Sequence, residues 1–256
     1  MGQPFAFVRA GDGEAASLPY EPGLAAHAKA DARDRERIWW GKPLTPALRA
    51  RIAPAVARAI WDADCVGIPT IARFLRELRL DQADTLEGSL TGRGLRSLLY
   101  CMEGFSGLRS PRLPPPMFTS CHLHQELAMW NCYEELLDGV RDVVFISCHP
   151  GLADVARDRF GVHVAASLVL PPDKVSGPLL AKTGREAASL PEILDSVIER
   201  IGDLPRNRLV LIGAGYPGKI LVNVARQRGG IALDLGSIFD YWLGLRTRSY
   251  LDIDSG

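Results

Sequence analysis

The segment Phe5-Ala-Phe-Val-Arg-Ala-Gly-Asp-Gly-Glu14 places two carboxylates directly after a run of apolar residues. The apolar half is typical of a short buried strand, and Gly11 and Gly13 allow a sharp turn. We expect the chain to be still extended there, so that Asp12 and Glu14, two residues apart, point the same way. Two converging carboxylates suit Mg2+ or Mn2+, which take one or two such ligands and complete their shell with water and phosphate oxygens. For an Asp-x-Glu alone, the alternative is an ordinary solvated turn.

A second group of candidates lies near the other end of the chain. Gly213-Ala-Gly-Tyr-Pro-Gly218 follows an apolar run, and Asp234 ends another apolar run about twenty residues later. Glycine turns before a helix N-terminus can face a diphosphate. Lys219 could add a point charge there, although a lysine on a helix surface is more often solvated.

The same glycines satisfy the G-x-G-x-x-G dinucleotide fingerprint, so an NAD- or S-adenosylmethionine-dependent enzyme stays open as an alternative. A noncatalytic nucleotide-binding module is a third interpretation. The position of the motif argues against the dinucleotide interpretation. Only 22 of the 256 residues follow Asp234, whereas such a domain needs further strands after its acidic residue.

Further polar residues are candidates for contact with a ligand. Ligands of parallel sheets collect at the carboxyl ends of strands, which selects Ser147, His149, Gly213 and Asp234. If the reaction needs a general base, the candidates are Asp234, Asp240 and His149.

The cluster of Cys121, His122 and His124 invites a zinc interpretation. The spacing of a zinc site is missing, and the chain has no Cys-x-x-Cys. We therefore expect no bound zinc, and we assign both histidines to a substrate-facing strand end or to a structural role.

Apolar runs that alternate with helical periodicity predict βαβ units and a mostly parallel sheet flanked by helices. The fold class is therefore α/β and Rossmann-like, as a single domain over residues 1–256. The predicted strands are the first motif's apolar half, 64–69, 142–147, 162–170, 209–212 and 231–234. The predicted helices are 24–37, 46–62, 71–80, 125–137, 151–160, 191–201 and one after Gly218. Between them we place loops at 39–43 with Trp39 and Trp40, at 88–94 with Arg93 and at proline-rich 107–116, and a frayed tail at 252–256.

Composition narrows the class of protein. A formal net charge of zero gives no basic surface for nucleic acid. No apolar run approaches the roughly 20 residues of a membrane helix, so we expect no transmembrane segment. Five scattered cysteines suit reduced thiols, and hence a cytoplasmic location.

Arg9-Ala-Gly-Asp-Gly-Glu14 resembles the Arg-aromatic-Gly-Asp-Gly-Glu signature of the GT-D fold, a family of bacterial nucleotide-sugar glycosyltransferases, with Ala10 in place of the aromatic residue. Segments 209–219, 231–236 and 239–241 resemble the unit that closes that domain. The resemblance spans nearly the whole chain, and its specific motifs lie at the two ends.

The resemblance implies a metal-dependent transfer of a sugar from a nucleotide diphosphate, with a UDP-sugar as first choice, to a glycan, glycoprotein or glycolipid. Its cofactor would be Mn2+ or Mg2+, and a homodimer is one possible assembly. It implies the following roles: metal binding by Asp12 and Glu14; catalysis by Asp12, Glu14 and Asp234; donor binding by Arg9, Gly11, Gly13, Gly213, Gly215 and Lys219; and acceptor or base by His149, Asp240, His122 and His124.

Overall fold

The computed structural model describes residues 3–11, 13–18, 22–40, 42–69, 90–106, 115–172 and 189–245. Within these ranges seven strands form one sheet in which all pairs are parallel. The strands are β1 (Phe5–Arg9), β2 (Cys65–Ile68), β3 (Met117–Ser120), β4 (Asp142–Ser147), β5 (His163–Val169), β6 (Leu209–Gly213) and β7 (Ile231–Asp234). Their spatial order is β3-β2-β1-β7-β6-β4-β5. The predicted α/β fold is confirmed.

Nine α-helices are described within the same ranges. They are α1 (Pro22–Trp40), α2 (Pro46–Asp62), α3 (Leu90–Ser106), α4 (Leu123–Met129), α5 (Cys132–Leu137), α6 (Leu152–Phe160), α7 (Leu194–Gly202), α8 (Gly218–Gln227) and α9 (Ile238–Trp242). A 3-10 turn spans Glu14–Ser17. None of the described helices is both long and apolar enough to cross a bilayer.

The two faces of the sheet bury separate cores. Along β4, Val144 and Ile146 pack with residues of α1, α2, α3, α7 and α8, whereas Val143 and Phe145 pack with residues of α4, α5, α6 and α9. Consecutive strand residues point to opposite faces. A parallel strand that is covered on both faces must therefore have an apolar interior, as residues 143–146 of β4 show.

Several helix boundaries differ from the sequence prediction. Trp39 and Trp40 belong to α1 and not to a loop, and both rings pack against Tyr216, with centroids 5.7 and 6.2 Å away. The predicted glycine-rich loop is helical from Leu90. The predicted helix 125–137 is two helices, broken at Asn131, whose φ of 55° lies in the left-handed region.

Other sequence predictions concern residues that are not described. Outside the described residues lie the helix predicted at 71–80, residues 88–89 of the loop, most of the proline-rich segment and the tail 252–256. The paired tryptophans are partly buried and pack against the core.

The strand order brings the candidate residues to one edge. Arg9, Ser147, Gly213 and Asp234 are each the last residue of a strand, and their strands are neighbours in the order β1-β7-β6-β4. The carboxyl ends of these parallel strands thus form one continuous edge. This is where α/β folds bind their ligands.

Gly13 is needed at this edge for space and not for an unusual backbone. Its φ of −117° and ψ of −42° are open to any residue. A Cβ at Gly13, however, would lie 2.1 Å from Cη2 of Trp39. The indole ring of α1 therefore packs directly on the backbone between the two candidate metal ligands.

We expect Gly13→Ala to lower the free energy of unfolding by about 1–3 kcal/mol, because the added methyl group overpacks a filled core. The matched control is Gly202→Ala, where a Cβ meets no atom within 4 Å and helix propensity favours alanine by up to about 1 kcal/mol. Urea unfolding of both variants is the measurement. Equal stability of the two variants would contradict the close packing of Trp39 on Gly13.

Candidate functional site

Lys219 lies at the centre of the site and has no exposed surface. Its Nζ is 2.8 Å from Oε1 of Glu14 and 2.9 Å from Oδ2 of Asp234, and it donates to the carbonyl oxygen of Gly215 at 3.1 Å. The alternative, a solvated lysine on the helix surface, does not hold. The start of α8 packs against the sheet, and residues 218–222 are all buried, so Lys219 enters the interior with them.

Arg9 supplies a second cation from the end of β1. Its Nη2 donates to Oδ1 of Asp234 at 3.2 Å, and its backbone N–H donates to Oδ2 at 3.3 Å. Its Nη1 lies 2.9 Å from Nε2 of His124. The guanidinium fits because Gly236 has no side chain: a Cβ there would lie 2.1 Å from Nη2.

We call Arg9, Glu14, Lys219 and Asp234 the ion cluster. It holds two cations and two carboxylates, so its formal charges cancel. Asp234 is 1% exposed and Glu14 is 9% exposed, so both carboxylates have left bulk water. Buried charges of this kind persist only when they are paired.

Electrostatics fixes the protonation states around the cluster. Burial alone raises the pKa of the Asp234 carboxyl, but the charges of Arg9 and Lys219 outweigh it and hold that pKa below its usual range. Burial lowers the pKa of Arg9, but the charges of Asp234 and Glu14 outweigh this effect, so the pKa lies above its usual value. Burial and the charge of Arg9 hold the pKa of His124 well below its usual value. His124 is therefore neutral, and its Nε2 accepts a hydrogen bond from Arg9.

Glu14 reaches the cluster from a 3-10 turn, so the predicted extended chain at this residue is wrong. The turn aims Oε1 at Lys219, while a Cβ at Gly11 would lie 3.1 Å from Oε2. Asp12 lies outside the described residues. The described residues contain no group of three His, Cys, Asp or Glu that could hold a metal. Of the two predicted metal ligands, the described residues include only Glu14. A carboxylate is a ligand type that suits Mg2+ and Mn2+.

The two candidate glycines of the second motif contribute in different ways. A Cβ at Gly213 would lie 2.6 Å from the Phe239 ring and 2.9 Å from the carbonyl oxygen of Gly236, so this glycine lets α9 pack onto the end of β6. Gly215 has a φ of +57°, and its carbonyl oxygen binds Lys219. Both glycines therefore build the edge, and donor binding by them stays a prediction.

A second buried pair, which shares no residue with the ion cluster, lies at the same edge. His149 Nε2 is 2.6 Å from Oδ1 of Asp240, and the two residues are 4% and 6% exposed. Both residues are candidate bases from the sequence, and the fold brings them together although they are 91 positions apart in the chain. The backbone N–H of His149 also donates to Oγ of Ser147 at 3.1 Å, which fixes the turn after β4.

The two candidate histidines that follow β3, His122 and His124, have different partners. His124 joins Arg9, whereas His122 Nδ1 lies 3.3 Å from Sγ of Cys121. The Tyr133 hydroxyl donates to the His124 carbonyl oxygen at 2.7 Å and anchors this segment to α5. The absence of zinc remains a prediction.

Sequence reasoning missed two features of this site. One is the contact between Arg9 and His124, which are 115 positions apart and carry no joint sequence signal. The other is the burial of Lys219, for which a signal exists: the apolar run Ile220-Leu-Val222 follows it directly, and a solvated helix face would interrupt such a run.

The arrangement argues against a dinucleotide-binding enzyme, because Asp234 is not available to a ribose. In that fingerprint the residue corresponding to Asp234 binds the hydroxyl groups of a ribose. Here both oxygens of Asp234 are bound by Arg9 and Lys219, and the side chain is buried. The glycine motif is therefore present without the acceptor that the fingerprint requires.

Solved structures that share this fold include two of the domain of unknown function 1792 (DUF1792), one described as having a distinct glycosyltransferase fold, and a DUF1792 glycosyltransferase from Streptococcus sanguinis. They match 94% of this chain and 76–80% of theirs, with TM-scores of 0.53–0.56 and identities of 17–18%. No protein-family model and no curated protein matches the chain. The likeness confirms at the level of the fold the resemblance that the motifs indicate.

We expect Lys219→Met to lower the free energy of unfolding by about 3–5 kcal/mol, because it leaves two buried carboxylates without their shared cation. The control is Lys42→Met, which removes an exposed lysine 2.9 Å from Glu192 and should cost less than about 1 kcal/mol. Urea unfolding at neutral pH compares the two. Similar small losses would show that Lys219 is not the counter-ion.

The burial of neutral His124 predicts that the free energy of unfolding falls in acid. Its folded pKa lies below its unfolded value of about 6.5, so between these two values the unfolded chain binds more protons. Stability then falls as the pH drops below about 6.5, by up to about 1.4 kcal/mol per pH unit. Urea unfolding at pH 7 and pH 5.5 should show a smaller loss for His124→Gln than for the wild type. An equal loss in both would argue that His124 is not buried as a neutral ring.

Proposed function

We propose that the chain is a metal-dependent glycosyltransferase that moves a sugar from a nucleotide diphosphate, first of all a UDP-sugar, to a glycan, glycoprotein or glycolipid. The observation that carries the proposal is the ion cluster, which holds Glu14 at the carboxyl edge of the sheet. The fold shared with a glycosyltransferase supports the same class of reaction.

The chemistry of the donor set fits a small divalent cation. Glu14 is a hard oxygen ligand, and in the sequence it stands two positions from a second carboxylate, Asp12. Mg2+ and Mn2+ use one or two protein carboxylates and take their other ligands from water and phosphates. We propose that Asp12 and Glu14 hold such an ion. When bound, it supplies positive charge that offsets the charge building on the departing nucleoside diphosphate.

We propose for Lys219 a role other than the direct donor contact that the sequence predicted. Its Nζ is fully buried and already contacts three oxygen atoms, those of Glu14, Asp234 and Gly215. We propose that it acts through Glu14, as a positioning residue that keeps one oxygen fixed. A preorganised ligand costs no rearrangement when the cation arrives.

Asp234 is unsuited to the role of general base. Two cations bind it, and they hold its pKa below its usual range. A carboxylate with a depressed pKa is a weaker proton acceptor. We propose that Asp234 anchors Arg9 and Lys219 beneath the site.

The test is calorimetry of donor binding with and without Mn2+, using UDP-glucose, UDP-galactose and UDP-N-acetylglucosamine as probes. We expect metal-dependent binding by the wild type and at least a tenfold loss for Asp12→Asn and for Glu14→Gln, because each removes a charged ligand. Glu14→Gln should also lower stability by about 1–3 kcal/mol, since it weakens a buried ion pair. Glu192→Gln, on an exposed carboxylate, is the control and should bind as the wild type does.

Melting temperature is measured on the same preparations, so that loss of binding is separated from loss of fold. Unchanged metal-dependent affinity in both folded variants would remove Asp12 and Glu14 from the site. Binding of NAD(H) by the wild type, with no response to any nucleotide sugar, would favour the dinucleotide enzyme instead.

A further inference from the structure

We propose that His149 is the base that takes the proton from the acceptor hydroxyl, and that Asp240 holds its ring in the required tautomer, so that transfer inverts the anomeric configuration. This inference rests on the proposed function and adds the acceptor half of the site. It begins from the buried His149–Asp240 pair at the end of β4.

The pair sets which nitrogen carries the proton. A carboxylate only accepts hydrogen bonds, so the 2.6 Å contact requires Nε2 of His149 to donate to Oδ1 of Asp240. In the neutral form of the ring, Nδ1 is then an unprotonated lone pair. The donation from the His149 backbone to Ser147 Oγ holds the residue in place.

That lone pair has no partner within the described part of the chain. Buried polar atoms are nearly always satisfied, and an unsatisfied one costs about 1–3 kcal/mol. Five buried side-chain nitrogens lack a hydrogen bond among the described residues, and the other four belong to arginine or tryptophan and can only donate. Nδ1 of His149 is thus the one acceptor among them, and a ligand hydroxyl would satisfy it.

The position suits an acceptor beside the donor site. β6 alone separates β4 from β7, so the ends of these strands are two strand spacings apart, about 10 Å. Cys148 is partly exposed and Pro150 is exposed, so the residues on either side of His149 reach the surface of the edge. Phe239, packed on Gly213, fixes the helix that carries Asp240.

The other candidate bases are already engaged. Asp234 is bound by two cations, and the His124 ring accepts from Arg9. His122 contacts Cys121. Among the described candidates, His149 combines an oriented ring with an available lone pair.

The proposed step balances as a single displacement. The acceptor O–H bond breaks, its proton goes to Nδ1 of His149, and the oxygen forms a bond to the anomeric carbon. The bond from that carbon to the donor phosphate oxygen breaks, and its electron pair leaves with the nucleoside diphosphate. The resulting imidazolium is stabilised by Asp240. One displacement at carbon inverts its configuration.

The first measurement reads the tautomer directly, by 15N NMR of the imidazole in histidine-labelled protein. The wild type should show protonated Nε2 and unprotonated Nδ1. Asp240→Asn can donate to Nε2 and should move the proton to Nδ1 while keeping the shape of the pair. A protonated Nδ1 in the wild type would overturn the proposal.

The second measurement is turnover, with Mn2+, the UDP-sugar that binds most tightly, and water as the acceptor. His149→Ala and Asp240→Asn should bind the donor with unchanged Kd and turn over at least about 100-fold more slowly. Added imidazole should restore part of the rate in His149→Ala alone. The control is His163→Gln, which breaks an exposed His163–Asp142 pair of similar geometry, 2.7 Å, and should leave both quantities unchanged.

The third measurement is the configuration of the released sugar, by proton NMR during turnover. An α-linked donor should first give the β-anomer, and retention would contradict the proposal. Wild-type turnover with full activity in folded His149→Ala would remove this inference and leave the proposed function intact. A wild type that binds no nucleotide sugar would remove both.

Discussion

The site depends on one buried ammonium group. Lys219 Nζ joins Glu14, from the turn after β1, to Asp234, at the end of β7, and Asp234 in turn holds Arg9. A charge without solvent exposure is tolerated only with its partners in place. The requirement to pair Lys219 therefore fixes where the first motif and the last strand meet. Glu14 and Asp234 are far apart in the chain, and Lys219 is the cation that they share.

The glycines at this edge make room for larger neighbours. Gly13 accommodates Trp39, Gly213 accommodates Phe239, and Gly236 accommodates the Arg9 guanidinium. Each contact brings a helix or a charged group closer to the sheet than a side chain would permit. The Gly-rich motifs are thus explained by packing as well as by any ligand. Residues that hold the edge together and residues that bind at it are neighbours in the same short segments, which explains why the sequence alone could not separate their roles.

The sequence predicted the fold well because strands buried on both faces must be apolar runs, as β4 and β6 are. It also predicted that Ser147, Gly213 and Asp234 lie at one edge of the sheet, because parallel strands end together. It failed where three-dimensional contacts decide the outcome. Lys219 has the residue type of a surface position and is buried by its partners, and Trp39 extends α1 because Tyr216 covers it. The pairing of His124 with Arg9 leaves no pattern in the chain at all.

The most direct test of the account is anomalous diffraction at the manganese edge from crystals grown with Mn2+ and UDP. The account predicts one manganese bonded to a carboxylate oxygen of Glu14 and to the diphosphate, with Lys219 still buried between Glu14 and Asp234. Such a result would place metal, nucleotide and ion cluster at the carboxyl edge of the sheet. Manganese and UDP bound elsewhere, with Glu14 in contact with Lys219 alone, would contradict it.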